Sequence, residues 1–500
     1  MIAVSQFTLR PCLSYNKTIF FNGENMDLTN YLSYQKIVDC SARIKRVFFY
    51  RVCGTGMGAC ATLLREQGYE VEGGDNRFAP PMSDYLKATG IVLHDLAQFD
   101  PSLLKQFDLI VVGNVVPKDS TDSKLIEESG VPFASFPATL GALVLNKQNV
   151  VGIAGTHGKT TTTYLAAQIF EGLGIKPGYF VGGVIPGKNS AQLGEGKYFF
   201  IESDEYDSGY FEKISKFRSY CLDHMILTSL EFDHGDIFDD ISEIQSQFRP
   251  VIEKLPGKLI VDETYSAAME LVSKSHFDEK RIRRYGKETG PEIIEMSTEG
   301  TVFRLLYANQ MRTFKTNLVG KHNILNLSSC LIFCDEEGFS FEKISEAIID
   351  LQMVKRRQEV KGHLGSALVI DDFAHHPRAV ELTLAGIKIK YPNQKITVVF
   401  EPNSATARSD LFQNEFTAAF STADKLVITK PVRDTSLKKA KNLDLDKMKN
   451  DLAAHSVTTL IAKDLNELMD ALKDSQKKDD LILILSNGTC LGFWESDFVK

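Results

Sequence analysis

The segment Val150-Val-Gly-Ile-Ala-Gly-Thr-His-Gly-Lys-Thr-Thr161 passes from an apolar run through two glycines into a lysine followed by hydroxyl residues. It commits the chain to a strand, a tight loop and a helix in succession, because backbone N–H groups must close around a phosphate where the strand stops. Gly155 and Gly158 carry no side chain to obstruct that approach. Lys159 adds charge for the terminal phosphates and the Thr160 hydroxyl suits a magnesium ion, with Thr156, His157 and Thr161 completing the loop. Beyond it Tyr164, Leu165, Ile169, Phe170 and Leu173 recur at helical spacing up to Gly172-Leu-Gly174, which predicts phosphates seated on a helix N-terminus. The usual phosphate-loop spacing is not met, since Ile153 rather than glycine stands five residues before Gly158. A glycine turn before an ordinary helix with a solvated lysine is the weaker reading.

A second glycine turn lies upstream. The β-like run Arg46-Val-Phe-Phe-Tyr-Arg-Val52 enters Cys53-Gly-Thr-Gly-Met-Gly-Ala59 and then an apolar-periodic helix through Leu63 and Leu64. Gly54, Thr55, Gly56, Met57 and Gly58 form a turn that admits a diphosphate, and Ala59 is small enough for helix-on-strand packing. Asp75 follows a short strand, Glu70 to Glu72, at the spacing of a ribose-binding acid. Taken alone, this region points to a nicotinamide enzyme or to a turn with no ligand.

Downstream, Lys197-Tyr-Phe-Phe-Ile201 runs into Glu202-Ser-Asp-Glu-Tyr-Asp207, and Met225-Ile-Leu-Thr-Ser-Leu230 into Glu231-Phe-Asp-His234. In a parallel sheet ligands bind beyond the carboxyl ends of strands, so these two ends and the phosphate loop should share one crevice. Glu202 is the candidate for magnesium, which prefers oxygen ligands. Asp207 and Asp236 read as solvated turn residues. On chemistry alone His234 reads equally as a ligand or as a structural hydrogen-bonder, since imidazole favours transition metals. A further alternation, with strands near 367–370, 396–400, 426–429 and 481–485, predicts another open α/β sheet. Its first helix should start at Pro377, after Asp371-Asp-Phe-Ala-His-His376. Asp372, His375 and His376 there are placed for a ribose or a substrate, with helix capping the simpler role for Asp372. Residues 438–449 are lysine-rich with interspersed Asp and Leu, which reads as an exposed helix or loop face.

The chain has 500 residues, enough for several cores, and three domains are expected. A formal net charge of −8, with no polybasic tract, argues against a nucleic-acid binder. The eight cysteines are scattered with no Cys-x-x-Cys pair, which suggests reduced thiols rather than a disulfide framework or zinc knuckle. No apolar run is long enough to span a bilayer and no leader-like start appears, so a soluble cytoplasmic chain without a membrane partner is expected.

Gly155-Thr-His-Gly-Lys-Thr-Thr161, Glu202-Ser-Asp-Glu205, Glu231-Phe-Asp-His234, Gly320-Lys-His-Asn-Ile-Leu-Asn326, Lys355-Arg-Arg357 and Asp371-Asp-Phe-Ala-His-His-Pro377, in this order, resemble the Mur ligase family over roughly residues 46–500. The resemblance implies an α/β protein of three domains. These are a Rossmann-like UDP-sugar-binding domain over 46–145, a P-loop ATPase-like domain over 146–355 and a Rossmann-like domain over 356–500 that receives an amine. Residues 1–45 would be an extension of unassigned role. The short phosphate loop then becomes a family trait, and the first glycine loop, with Asp75, would hold UDP rather than a dinucleotide.

The family uses ATP and Mg2+ to join an amino acid or peptide to a carboxylate on a UDP-sugar, here UDP-N-acetylmuramate. Ala79-Pro-Pro-Met-Ser83, Ser229-Leu-Glu-Phe-Asp-His234, Phe373-Ala-His-His-Pro377, Phe400-Glu-Pro402 and Ser486-Asn-Gly488 resemble the branch that attaches a ready-made murein tripeptide. The alternative branch adds free L-alanine and usually has tyrosine-glycine at Phe373-Ala374. Two departures bear on the acceptor: Asn403 stands where that pattern has arginine, and Thr489-Cys-Leu-Gly492 carries less glycine than it would.

The resemblance implies Lys159 on the β- and γ-phosphates and Thr160, Glu202 and His234 around magnesium, which tips His234 toward ligand. It implies Asn323 on adenine with His322 and Asn326 shaping that pocket, Arg357 and Asp372 at the γ-phosphate and ribose, and His375, His376 and Asn403 toward the acceptor. Two rival classes stand beside it. A nicotinamide oxidoreductase leaves the second phosphate loop unexplained, and a non-catalytic ATP-gated binding protein has no need of Glu202, His234 and Asp372 together. Monomer and dimer are both open.

Overall fold

The structure, a computed structural model, describes residues 28–78, 82–233, 235, 237–431, 433–437 and 440–496. The expected metal ligand His234, the turn residue Asp236, residues 1–27, Ala79, Pro80, Pro81 and residues 438–439 lie outside the described residues. The chain divides into two compact units. One holds the described residues up to Gly155 with 162–229 and 244–284, the other 156–161, 230–243 and 285–500.

Among the described residues the first unit holds two large sheets and a two-stranded hairpin. A five-stranded parallel sheet runs in the order Val92–Asp95, Glu70–Asp75, Arg46–Tyr50, Leu109–Val112, Phe133–Ser135. Its first strand is the earliest in sequence and central in space, so the loop after Tyr50 opens at the point where the strand order reverses, as a doubly wound sheet requires for a ligand. One face buries Phe48, Tyr50, Ile110, Val112 and Phe133, and Tyr210 and Phe211 enter the same cluster from the hairpin Asp207–Gly209/Glu212–Ser215. Asp207 is therefore a hairpin-strand residue, and its carboxylate pairs with Lys213 at 2.8 Å.

The second sheet is seven-stranded, in the order Ile282–Tyr285, Leu259–Asp262, His224–Leu227, Asn149–Ala154, Tyr198–Ser203, Gly178–Phe180, Ala191–Gln192. Its three central strands are parallel, and Ala154 pairs with both Leu227 and Ser203. The expected convergence of strand ends is thus met by three adjacent carboxyl ends. The bounds differ by a few residues: Glu202 lies inside its strand and faces Ile153, and Asp75 is the last residue of its own.

The second unit holds an antiparallel three-stranded sheet, Glu292–Ser297, Gly300–Tyr307 and Gln310–Thr316, followed by the helix Lys321–Glu336. It also holds a six-stranded sheet in the order Glu359–Leu364, Ala367–Asp372, Asp480–Ser486, Lys395–Glu401, Lys425–Thr429, Thr458–Ala462. All but the first of these six strands run parallel to their neighbours. They read as continuous apolar runs because helices cover both faces, with Val398, Phe400 and Leu483 on one side and Val399, Val427 and Ile484 on the other.

Two stretches take definite form. The stretch before residue 46 does carry structure, a helix Tyr34–Cys40 that buries Tyr34, Ile37 and Val38. Two turns without a side-chain cap are too short to show periodicity. The lysine-rich segment is partly the helix Leu445–Ala453, which buries Met448 and Leu452. No described helix is long and apolar enough to cross a membrane, and the seven described cysteines are free.

Candidate active site

The phosphate loop is built as its glycines require. Gly155 and Gly158 have φ of 130° and 84°, which L side chains rarely adopt. A Cβ on Gly155 would stand 2.6 Å from the Ser229 carbonyl oxygen, and one on Gly158 would stand 2.6 Å from Asn326 Oδ1. Asn326 therefore packs on this loop. The Thr156 hydroxyl donates to the Glu231 carbonyl at 3.1 Å and accepts from the Glu231 N–H at 2.9 Å, tying the loop to the segment after the neighbouring strand. His157 Nε2 meets Glu231 Oε2 at 3.0 Å. Lys159 opens the helix Lys159–Gly172 with Thr160 and the buried Thr161 beside it, so cation, hydroxyl and helix N-terminus coincide.

Further candidates in the same unit lie on elements that start or end at one place. Asn323 is buried at the head of the helix Lys321–Glu336, and its Nδ2 donates to the Val319 carbonyl at 2.8 Å. His322 Nδ1 is buried without a hydrogen-bond partner, and burial, seconded by the Arg357 charge, pushes the ring down to about 4. Arg357 lies 5.2 Å from the Phe373 ring. Asp372 accepts from the N–H groups of Gln358 at 2.9 Å and Ala374 at 2.8 Å. Burial raises its pKa against the Arg357 charge and those two hydrogen bonds.

His375 Nδ1 lies 2.9 Å from the Phe373 carbonyl, whereas His376 is 6% exposed and packs its ring on His157 at 4.7 Å and on Phe412 at 4.9 Å. Burial, then the neighbouring His157, pushes His376 down to about 4.

Residues without an assigned role in the motifs also stand out. Arg356, at φ 59°, donates Nε to Asp371 at 3.1 Å and Nη2 to the Ser486 carbonyl at 2.5 Å, joining two strand ends. Burial raises Asp371 to about 6 even with Arg356 alongside. The doublet Arg356-Arg357 was the available signal, and nothing in it says which arginine turns inward. Glu401 accepts from the Ser486 hydroxyl and the Cys490 N–H, and the Asn403 carbonyl accepts from the buried Arg408. Cys490, Leu491 and Gly492 have φ of 51°, 56° and 81°. The glycine-poor departure thus keeps a left-handed backbone at two non-glycine residues, which costs roughly 1–2 kcal/mol each.

In the first unit, Gly54 caps the helix Thr55–Glu66 with no side-chain hydrogen bond, and the first-turn N–H groups of a helix have no intrahelical partner. Gly56 and Gly58 serve packing: a Cβ would lie 3.1 Å from the Phe136 ring and 2.3 Å from Met82 Sδ, and Met57 is buried. Asp75 accepts from the Cys53 N–H at 2.9 Å and from the Asn76 N–H at 2.8 Å, fixing the turn itself. Glu202 is 7% exposed and accepts from the Gly182 N–H at 2.8 Å.

The chain resembles known proteins along most of its length. Residues 46–148 match the Mur ligase family, catalytic domain; residues 153–334 the Mur ligase middle domain; and residues 356–488 the Mur ligase, glutamate ligase domain. UDP-N-acetylmuramate--L-alanyl-gamma-D-glutamyl-meso-2,6-diaminoheptandioate ligase of Escherichia coli K12 is 35% identical over 395 residues, covering 77% of this chain and 85% of that one. UDP-N-acetylmuramate--L-alanine ligase of Desulfitobacterium hafniense Y51 is 28% identical over 457 residues, covering 88% and 97%. The crystal structure of a murein peptide ligase from Psychrobacter arcticus 273-4 superposes with a TM-score of 0.64 at 27% identity, covering 90% and 97%.

Proposed function

This chain belongs to the Mur ligase family of ATP-dependent amide-forming ligases, and we propose that it joins the lactyl carboxylate of UDP-N-acetylmuramate to the tripeptide L-Ala-γ-D-Glu-meso-diaminopimelate. The choice of acceptor is carried by the stronger identity to the tripeptide ligase, 35% against 27–30% for the L-alanine ligases. The strings around Phe373-Ala374 and Ser486-Asn-Gly488 point the same way. Such a reaction reuses wall fragments in peptidoglycan recycling, and its nucleotide substrates suit a cytoplasmic enzyme.

ATP supplies the γ-phosphoryl group that turns an unreactive carboxylate into an acyl phosphate, with ADP leaving, and the peptide amine then attacks the acyl carbon and displaces inorganic phosphate. The residues present fit that partner: the cradle at Gly155 and Gly158 has no room for a Cβ, and Lys159 stands at a helix N-terminus. Catalysis here is mainly positioning and charge neutralisation. Lys159 and the loop N–H groups neutralise the β- and γ-phosphates. Asn323 is assigned to adenine, Asp372 to the ribose, and Arg357 to the γ-phosphate. Thr160, Glu202 and His234 are assigned to Mg2+ by motif order, and a hydroxyl with a carboxylate suits that ion's preference for oxygen. Gly54–Gly58 and Asp75 are assigned to the UDP end, and His375, His376 and Asn403 to the acceptor side.

A panel of free L-alanine, L-Ala-γ-D-Glu and the tripeptide, each with UDP-N-acetylmuramate and ATP, tests the reading by mass spectrometry of products. A ligated product is expected with the tripeptide. Product from L-alanine alone would reassign the chain to the first step of de novo synthesis.

A further inference from the structure

His157, Glu231 and His376 each offer one ligand atom, and the three atoms lie within 4.8 Å of one another. We propose that these residues form a binding site for a first-row transition-metal dication such as Zn2+ or Co2+, separate from the magnesium that accompanies the nucleotide. Two imidazoles and one carboxylate are a donor set that favours such ions over Mg2+.

The side chain that points to a ligand is His376. It is 6% exposed, and neither ring nitrogen has a hydrogen-bond partner. Leaving both nitrogens of a buried ring unpaired costs free energy that a ligand would recover. Burial keeps the ring neutral at physiological pH, so it has a lone pair to give. Burial works to raise Glu231, but its hydrogen bond with His157 and the nearby Arg378 charge bring it below the usual carboxylate range. It therefore supplies the negative charge.

Metal–ligand bonds of about 2.0–2.2 Å place tetrahedral ligand atoms roughly 3.5 Å apart, so closure needs side-chain shifts of about an ångström. Three protein ligands leave a position open for water or a phosphate oxygen. His157 belongs to the phosphate loop, and His376 caps the helix Pro377–Lys390. An ion held here ties the loop to the start of that helix. The inference stands on these three side chains and does not depend on which amine the enzyme uses.

The test uses the full chain, stripped with chelator, desalted and titrated with Co2+ in the absence of nucleotide and in the presence of millimolar Mg2+. Expected are one Co2+ per chain, an intense visible d–d band of a low-coordinate site, and displacement by Zn2+. His376→Phe keeps a ring against Phe412, and Glu231→Gln keeps the carboxylate's shape. Each should weaken Co2+ binding at least tenfold and bleach the band, with a circular dichroism spectrum like the parent's. If one variant fails to fold, the other decides. A spectrum like that of hexaaqua Co2+, or binding unchanged in the folded variant, overturns the site whatever the ligase assay shows.

Discussion

His322 shows how one side chain couples the candidate nucleotide site to pH. Burial, and then Arg357, holds the ring at about 4 against an ordinary 6.5. Between those values the unfolded chain binds the extra proton, so the contribution is present above pH 6.5 and is lost as pH falls through the window. By pH 5.5 the loss is about 1 kcal/mol, a magnitude that partial exposure of the ring reduces. His376, also at about 4, acts in the same direction. Asp371, raised to about 6 by burial, acts in the opposite one, because its folded form holds the proton between about 3.8 and 6. Thermal melts at about pH 7.5 and 5.5 separate these contributions: the drop in midpoint should be smaller in His322→Gln than in the parent. Equal drops would mean that His322 titrates normally.

At the scale of elements, the hairpin Asp207–Gly209/Glu212–Ser215 carries more weight than its length suggests. Its tip residue Phe211 is 1% exposed and meets Tyr31 at 5.2 Å and Phe133 at 5.1 Å, so it completes one face of the five-stranded sheet. Behind it the buried Glu212 accepts from Ser135 and from Tyr31. Phe211→Ala should cost about 3–5 kcal/mol, read as a lower urea midpoint for the first unfolding transition. A loss below about 1 kcal/mol would show that the face closes without it. The sequence did not announce this. Glu202-Ser-Asp-Glu-Tyr-Asp207 reads as polar strand-end chemistry, and only the long-range pairing of Tyr210-Phe211 with Phe48 and Phe133 reveals a docking tip. What was legible were the parallel strands, whose continuous apolar runs admit few other structures, and the helices begun by Lys159 and Pro377. The meander 292–316 escaped because its exposed face carries Ile294, Leu306 and Met311, which blurs the two-residue alternation.

At the scale of the molecule, the candidate nucleotide residues 156–161, Asn323, Arg357 and Asp372 belong to one compact unit and the upstream glycine turn with Asp75 to the other. The motifs announced two phosphate-binding turns, and a nicotinamide reading of the first fails once the chain is placed in its family. Two turns in two units should give separable losses of binding. Gly54 is the clean position for the UDP end. Its φ of −66° suits any residue, and a Cβ there meets nothing closer than Met57 at 3.9 Å, whereas Gly56 and Gly58 would jam against Phe136 and Met82. Gly54→Val therefore keeps the fold and fills the approach to the helix N-terminus. By calorimetry its Kd for UDP-N-acetylmuramate should rise at least tenfold, about 1.4 kcal/mol, with the Kd for ADP unchanged within about twofold. Lys159→Ala should do the converse: UDP-sugar binding stays, and ligation falls by roughly a hundredfold or more, since losing one phosphate-stabilising charge costs about 3 kcal/mol in the transition state. Normal UDP-sugar binding by Gly54→Val would move that end of the substrate off the turn, and near-normal ligation by Lys159→Ala would remove the phosphate loop from the chemistry.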